Sequence, residues 1–158
     1  MKVTIREKLS CGQFVLGGFV SCASTAVVEV LALAGLDFIV IDTEHGEANF
    51  ETIVNMARTT DAYNVSSIVR ITDFNVKQIG RYLDNGLHGI QVPMVETAQQ
   101  ALSVVSACKY EPEGTRGMSG GRASRWGHVS DYISTANKET MVICMCESQK
   151  GVQNIDEI

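Results

Sequence analysis

The sequence predicts an α/β fold built on a parallel sheet, and three observations support this. Apolar runs of strand length alternate with segments of helical period, and the strands begin roughly every 25 residues, which is typical of βαβ units. The runs are nearly continuous in apolar residues, as in strands buried on both faces. Several of them end in isolated polar residues or glycines. With 158 residues, 45% of them hydrophobic, we expect a single domain over residues 1–158.

Composition excludes several classes of partner. The formal charge of −5 and the pI near 5.1 argue against nucleic acid and against an anionic membrane surface, because no Lys/Arg cluster would bind phosphates. No apolar run has the length or flanks of a signal peptide or a membrane span. The five cysteines are an odd number, and the pair Cys144 and Cys146 lacks further ligands at metal-site spacing. We therefore expect a reduced, cytoplasmic protein whose partner is a small molecule or another protein.

The predicted elements follow one another with short connections. A polar lead-in helix covers Met1–Leu9, and the first strand is interrupted by two glycines, which suggests close approach of a backbone or a ligand at Gly18. The later boundaries are set by Ser24, Asn49 and Asn85-Gly86 as helix caps. The predicted strands are Phe14–Val20, Phe38–Asp42, Ser67–Ile71, Gly89–Met94 and Met141–Cys146, and the helices run from Ser24 to Gly35, from Asn49, from Thr72 or Asp73, over Glu96–Cys108 and over Val129–Asn137.

The regular alternation breaks after the fourth helix. The segment Tyr110–Gly127 is rich in Gly, Arg and Ser and carries no apolar period, so it is predicted to be a long loop. Loops of this length without structure of their own are usually functional or disordered. The fifth strand follows it, and the sequence stops at Ile158 within what should be the next helix.

Polar residues collect at the carboxyl ends of the predicted strands. Asp42, Glu44 and His45 follow the second strand, Arg70 ends the third and Glu147 follows the fifth. In a (β/α)8 barrel these ends converge, so a base, a cation and carboxylates would share one cavity. Simpler interpretations exist: the acids could cap helices, and Arg70 could form a surface ion pair. Repetition at several strand ends favours a functional site.

Several segments together resemble one known family. GLDFIVIDTEHG, IVRI, YLDNGLHGIQVPMV, YEPEGTRGMSGGRASRWG and the late CES are similar to the HpcH/HpaI aldolases, metal-dependent pyruvate-type aldolases that include 4-hydroxy-2-oxoheptanedioate aldolase. The resemblance covers nearly the whole chain. It implies a TIM barrel, present here as a partial barrel of about five parallel strands, in a homo-oligomer that is usually a hexamer. It also implies cleavage of 4-hydroxy-2-oxo acids to pyruvate and an aldehyde.

The resemblance assigns roles to individual residues. His45 matches the family's proton acceptor, Arg70 its transition-state stabiliser, and Glu147 its first metal carboxylate, which would hold Mg, Mn or Co. Asp84 matches an aspartate that increases the basicity of that histidine, although the end of a helix should lie at the opposite face of the barrel. Asp42 is the nearer alternative in sequence. A small 2-oxo acid would then contact Arg70 and Gly18.

Two departures from the family pattern limit the expected activity. Met145 stands where the family commonly has a substrate-binding Gln, and the second metal carboxylate would lie beyond Ile158. A barrel of this type needs about 250 residues. The leading hypothesis is the amino-terminal part of a metal-dependent aldolase that is inactive alone. The alternatives are a non-enzymatic homologue that acts as an assembly partner and a citrate-lyase-like acyl-CoA lyase.

Overall fold

A computed structural model describes residues 5–158, and over these residues strands and helices alternate as the sequence predicts. Their bounds are α1 Ile5–Ser10, β1 Gly17–Val20, α2 Thr25–Leu33, β2 Phe38–Asp42, α3 Phe50–Ala62, β3 Ser66–Arg70, α4 Val76–Asp84, β4 Gly89–Val92, α5 Ala98–Cys108, α6 Tyr132–Glu139, β5 Met141–Cys144 and α7 Gln149–Gln153. The strands form one sheet in the order β1-β2-β3-β4-β5, and every neighbouring pair is parallel. The predicted α/β fold is confirmed.

The sheet has two unlike faces. On the outer face, strand residues such as Ile41, Val69 and Ile90 pack against the helices in the main core. On the inner face, Val40 and Ile68 form a smaller cluster that α1 helps to cover. Because side chains alternate along a strand, each strand contributes to both faces. The outer face is therefore the helix-covered layer, and the inner face is where the strand-end side chains meet.

One row of paired residues crosses the inner face near the carboxyl ends of the strands. Asp42 on β2 pairs with Arg70 on β3, Arg70 pairs with Gln91 on β4, and Gln91 pairs with Ile143 on β5. We call these four residues the strand-end row. Parallel pairing in register holds their backbones side by side, one strand apart. The row fixes the geometry of the candidate site described below.

Some strand ends differ from the prediction, each for a local reason. The first strand begins at Gly17 rather than Phe14, whose side chain is fully exposed. The fourth strand ends at Val92 because Pro93 has no N–H to donate and Met94 has a φ of 54°. The fifth strand likewise ends at Cys144, two residues early. Apolar composition alone does not mark where the ladder stops.

The helix starts also shift. Helix α4 begins at Val76 and not at Thr72 or Asp73, because the Asn75 side chain caps it by accepting from the N–H of Gln78 at 3.1 Å. The helix before β5 covers Tyr132–Glu139 instead of Val129–Asn137. Of the predicted lead-in helix, Ile5–Ser10 is helical, whereas Met1–Thr4 lie outside the described residues.

The segment 110–127 has more structure than predicted. It contains a 3-10 turn at Arg122–Ser124, and the N–H of Arg116 donates to the carbonyl of Lys109. The side chains of Tyr110 and Arg116 are buried beneath it. A buried Arg needs a partner, and Asp84 supplies one, so the loop is anchored by an ion pair that no apolar period could reveal. Among the helices of residues 5–158, none has the length and apolar character of a membrane span.

Candidate active site

Arg70 is held in a fixed orientation at the carboxyl end of β3. Its Nε donates to Asp42 Oδ1 at 2.9 Å and its Nη2 donates to Asp42 Oδ2 at 2.7 Å. Two parallel hydrogen bonds to one carboxylate define the plane of the guanidinium as well as its position. The register of β2 and β3 brings the two side chains together because both residues face the inner side of the sheet. The ion pair of Arg70, which the simpler interpretation placed on the surface, is therefore buried and bidentate.

The environment of Asp42 favours its charged form. Its side chain is 3% exposed, and besides Arg70 it accepts from Ser21 Oγ and from the backbone N–H groups of Glu44 and His45. The hydrogen bond from Arg70 is the main cause that lowers the pKa of Asp42 to about 2, against the opposing effect of burial. Asp42 therefore organises both Arg70 and the loop that carries His45.

The Glu44 carboxylate lies between the Arg70 guanidinium and the His45 imidazole. Its Oε2 lies 3.3 Å from Arg70 Nη1 and 3.9 Å from His45 Nε2. The His45 side chain is 71% exposed, so a ligand above the strand ends can reach its imidazole. The sequence placed Glu44 among the polar residues at the strand ends, with helix capping as the simpler interpretation, but assigned it no role of its own.

Two neighbouring residues of β1, Gly18 and Phe19, lie on opposite faces of the sheet. The ring of Phe19 lies on the inner face, with the Arg70 guanidinium 5.0 Å from its centroid in a cation–π contact. Sequence reasoning missed Phe19. Gly18 instead shares the side of the strand that carries the core residue Val20, and a side chain there would meet Leu36. Gly18 therefore lies on the face opposite Phe19, and its contact with a ligand stays a prediction.

Glu147 follows β5 and reaches the same edge of the sheet. Its Oε1 accepts from the N–H of Met94 at 2.8 Å. Together with Asp42, which has the larger effect, and Glu44, its charge raises the pKa of Arg70. The ends of β2, β3, β4 and β5 therefore lie close together, and Asp42, His45, Arg70 and Glu147 lie at these ends.

Hydrogen bonds and an ion pair connect the loop after β4 to the segment after β5, which carries Glu147. Ser148 Oγ donates to Glu96 Oε1 at 2.8 Å, and Lys150 Nζ lies 3.3 Å from Glu96 Oε2. Asn154 Nδ2 donates to the carbonyl of Glu96 at 2.8 Å. These contacts hold the loop around Glu147 in place beside the loop that follows β4.

The metal-binding chemistry at this edge is incomplete. Within residues 5–158, no group of three or more His, Cys, Asp and Glu side chains has the geometry of a metal site. Glu147 supplies one carboxylate, and one of its oxygens already accepts from the Met94 N–H. Hard divalent cations take about six oxygen ligands. The donors of the described chain therefore do not fit a resident divalent ion by themselves.

Asp84 lies apart from these residues. It is the last residue of α4, at the amino-terminal end of the following strand, and its Oδ1 accepts from Arg116 Nη2 at 2.7 Å. The Arg116 side chain is 2% exposed and stacks on the ring of Tyr110 at 4.5 Å. No contact within residues 5–158 joins Asp84 to His45. In this chain Asp84 compensates a buried cation.

Comparison with known proteins identifies relatives of this arrangement. The family model described as HpcH/HpaI aldolase/citrate lyase matches residues 15–158. The "4-hydroxy-2-oxovalerate aldolase" of Novosphingobium aromaticivorans is 38% identical over 158 residues, a match that covers 99% of this chain and 59% of that protein.

Solved structures agree with this match. The crystal structure of the citrate synthase SbnG superposes with a TM-score of 0.88 at 35% identity and covers 99% of this chain and 60% of that one. The HpcH/HpaI aldolase/citrate lyase family protein from Burkholderia cenocepacia J2315 superposes with a TM-score of 0.90 at 30% identity and covers 98% and 63%. The chain spans about three-fifths of the length of these relatives. Its five parallel strands correspond to part of a TIM barrel, and the chain belongs to the HpcH/HpaI aldolase/citrate lyase family.

Proposed function

We propose that this chain contributes the amino-terminal part of a carbon–carbon lyase that cleaves 4-hydroxy-2-oxo acids to pyruvate and an aldehyde. One observation carries the proposal: Arg70 is oriented by Asp42 at the strand ends, beside the exposed imidazole of His45. A fixed cation next to an accessible base is the pairing that an enolate-forming reaction requires. The relatives named as aldolases support the same chemistry.

Arg70 would bind the negative end of the substrate. Three of its contacts go to Asp42 and Glu44, which leaves further guanidinium N–H groups for a ligand, since the side chain has five. A 2-oxo acid presents a carboxylate and an adjacent oxo group, both of which accept such hydrogen bonds. During cleavage the oxo oxygen gains negative charge, and a preoriented cation stabilises it without reorganisation.

His45 would move the proton. Its imidazole takes the hydrogen of the C4 hydroxyl as the C3–C4 bond breaks, and the aldehyde leaves with a new C=O bond. The bonding electrons shift into C3 and the C2 oxo group, which yields the enolate of pyruvate. A proton then returns to C3 and completes pyruvate. Within the described chain, Asp42 and Glu44 would act as positioning residues for this step. Asp42 accepts a hydrogen bond from the backbone N–H of His45, and the Glu44 carboxylate lies beside the His45 imidazole.

A divalent ion, Mg, Mn or Co, would be required for full activity. It supplies Lewis-acid stabilisation of the enolate when bound. Glu147 is the ligand that this chain offers, and we propose that the remaining donors come from outside residues 5–158. We accordingly propose that the chain alone is nearly inactive and that it works in a homo-oligomer. Asp84 could act on His45 only across such an assembly, since its contact within the chain is Arg116.

The similarity to the citrate synthase SbnG favours a second candidate. Because this relative is 35% identical, carbon–carbon chemistry on a citrate-type tricarboxylate is an alternative use of the same Arg70. The two candidates differ in product. Pyruvate released from a 4-hydroxy-2-oxo acid supports the aldolase, whereas turnover of citrate alone supports the alternative.

Enolate formation can be tested without the aldehyde. In D2O, any catalyst that forms the enolate exchanges the methyl hydrogens of pyruvate for deuterium, which proton NMR follows directly. With millimolar Mn²⁺ we expect slow exchange above the buffer rate, and we expect Arg70→Met to return it to the buffer rate. Arg58→Met, at an exposed position on helix α3, is the matched control. Exchange that survives Arg70→Met, or no exchange in the unaltered chain, would contradict the proposal.

A further inference from the structure

Gln91 is a polar residue in an unusual position. It lies on β4 between the core residues Ile90 and Val92, both of which face the helices. Gln91 therefore faces the inner side of the sheet. In the strand-end row its neighbours in register are Arg70 on one side and Ile143 on the other. The sheet thus places an amide one strand away from the cation of the candidate site.

The amide of Gln91 has no partner of its own. The residue is 8% exposed, and within residues 5–158 its side chain forms no hydrogen bond. Its amide atoms nevertheless remain accessible, because the fully buried unpaired side-chain atoms of the described chain belong to Gln78 and Arg116. The Gln91 amide is consequently unpaired within the described residues and still partly accessible.

The protein around Gln91 does not account for an amide at this position. A side-chain amide with no hydrogen-bond partner in the described residues adds nothing to the stability of the fold, and an apolar side chain at the same place would be neutral or better. Apart from Arg70, which is paired with Asp42 and Glu44, the neighbours of Gln91 on the inner face are apolar, with Ile68 and Ile143 on the adjacent strands. The side chain of Met145, which follows β5, has no hydrogen-bond donor. Packing therefore gives no reason for an amide at this position.

We infer that Gln91 contacts the substrate: its side-chain N–H donates to an oxygen of the 2-oxo acid bound at Arg70. This inference rests on the proposed function. Arg70 attracts any small anion, whereas a neutral amide beside it favours a ligand with a second acceptor next to the carboxylate. Gln91 is thus a specificity-determining residue that selects 2-oxo acids over simple carboxylates.

Ligand binding tests this directly and requires no catalysis. Saturation-transfer NMR titrations would compare pyruvate with acetate, which has the carboxylate but not the oxo group. We expect pyruvate to bind more tightly than acetate, and we expect Gln91→Leu and Gln91→Met to weaken pyruvate roughly tenfold, as for a lost hydrogen bond to a charged ligand, with little effect on acetate. Gln99→Leu, at an exposed position on α5, is the matched control and should change neither.

The outcomes separate this inference from the proposed function. If both Gln91 variants bind pyruvate as the unaltered chain does while Arg70→Met abolishes binding, Gln91 is not a substrate contact and the proposed function stands. If pyruvate binding is absent or insensitive to Arg70→Met, both are overturned. Should neither Gln91 variant fold, the ¹⁵N-labelled side-chain amide of Gln91 in the unaltered chain decides: a pyruvate-dependent shift supports the inference, and an unmoved signal overturns it.

Discussion

Asp42 and Arg70 form the best-defined pair in the molecule, and each depends on the other. Arg70 is mostly buried, so it requires a compensating charge, and Asp42 meets it with both carboxylate oxygens. Removal of one partner from such a pair leaves the other charge uncompensated in a poorly solvated place. The same pairing that orients Arg70 for a ligand therefore also stabilises the fold.

Acid should weaken this pair in a defined direction. The folded-state pKa of Asp42, about 2, lies below the ordinary value of 3.8, so the unfolded chain binds the proton more readily. The resulting contribution, about 2 kcal/mol, is fully present above pH 3.8 and is lost as the pH falls towards 2.

Urea unfolding at pH 7 and at pH 3 measures this contribution. We expect Asp42→Asn to be less stable than the unaltered chain at pH 7, and we expect the difference to shrink at pH 3. Asp156→Asn, an exposed position near the carboxyl end, is the control. A difference that is independent of pH would show that the charge of Asp42 is not stabilised by Arg70.

Asp84 gives a second residue-level prediction, because it has a structural partner. Its carboxylate compensates Arg116, whose side chain is 2% exposed. Since Asp84 is itself partly exposed, we expect Asp84→Asn to lower the free energy of unfolding by about 2 kcal/mol rather than by the larger value of a fully buried pair. Urea unfolding checks this. Unchanged stability combined with slower pyruvate exchange would instead assign Asp84 to the reaction, as the family resemblance implies.

Sequence reasoning identified some site residues and missed others for physical reasons. Asp42, Arg70 and His45 stand at the ends of apolar runs, where a polar residue is conspicuous. Phe19 and Gln91 lie inside strands, and their importance depends on which face they occupy and on what the adjacent strand brings beside them. Register is a tertiary property that periodicity within one strand does not specify.

At the level of elements, the loop between β2 and α3 carries the chemistry. It turns tightly at Gly46, where a side chain would collide with the carbonyl of Asp42 and lie 2.8 Å from the carbonyl of Ser21. The loop is also held by Thr43, whose N–H and hydroxyl both donate to the carbonyl of Arg70. His45 is thus positioned by backbone packing on both sides.

Gly46→Ala should displace this loop. We expect a loss of about 1–3 kcal/mol in the free energy of unfolding, the usual cost of overpacking, and loss of pyruvate exchange because His45 moves. Gly120→Ala is the matched control, since a side chain there has open space around it. Equal stability and equal exchange in the two variants would mean that the loop tolerates displacement and does not fix His45.

Element order was predictable because apolar run length and helix caps are local signals. Helices α2 and α3 begin directly after Ser24 and Asn49, whose side chains cap them as predicted. The bounds of β1, β4 and β5 were predicted too long, because the ladder ends where hydrogen-bond partners end. The anchoring of segment 110–127 was not predictable, since it depends on the distant Asp84.

At the level of the whole molecule, the sheet has two open edges. Strand β1 pairs only with β2, and β5 pairs only with β4, among the described residues. Every residue of β5 is only partly buried, and Phe19 on β1 is 53% exposed. Unpaired edges with apolar side chains are templates for association with another chain.

We therefore expect the chain to self-associate rather than persist as a stable monomer. Each Leu-sized side chain left in water forfeits roughly 1.5–3 kcal/mol, and the net stability of a domain is only about 5–15 kcal/mol. Sedimentation of the purified chain at micromolar concentration, combined with a thermal melt, tests this. A monodisperse monomer with a sharp cooperative transition would show that the open edges are tolerated.

A crystal structure of the chain grown with pyruvate tests most directly whether the strand ends form one binding site. We expect the carboxylate of pyruvate against the guanidinium of Arg70, with its oxo oxygen within reach of His45 and the Gln91 amide. The cleft between α4 and segment 117–126, which is lined by Lys77, Arg81 and Trp126, offers an alternative place for an anion. Pyruvate bound in that cleft while Arg70 keeps only its contacts to Asp42 and Glu44 would contradict a shared site at the strand ends.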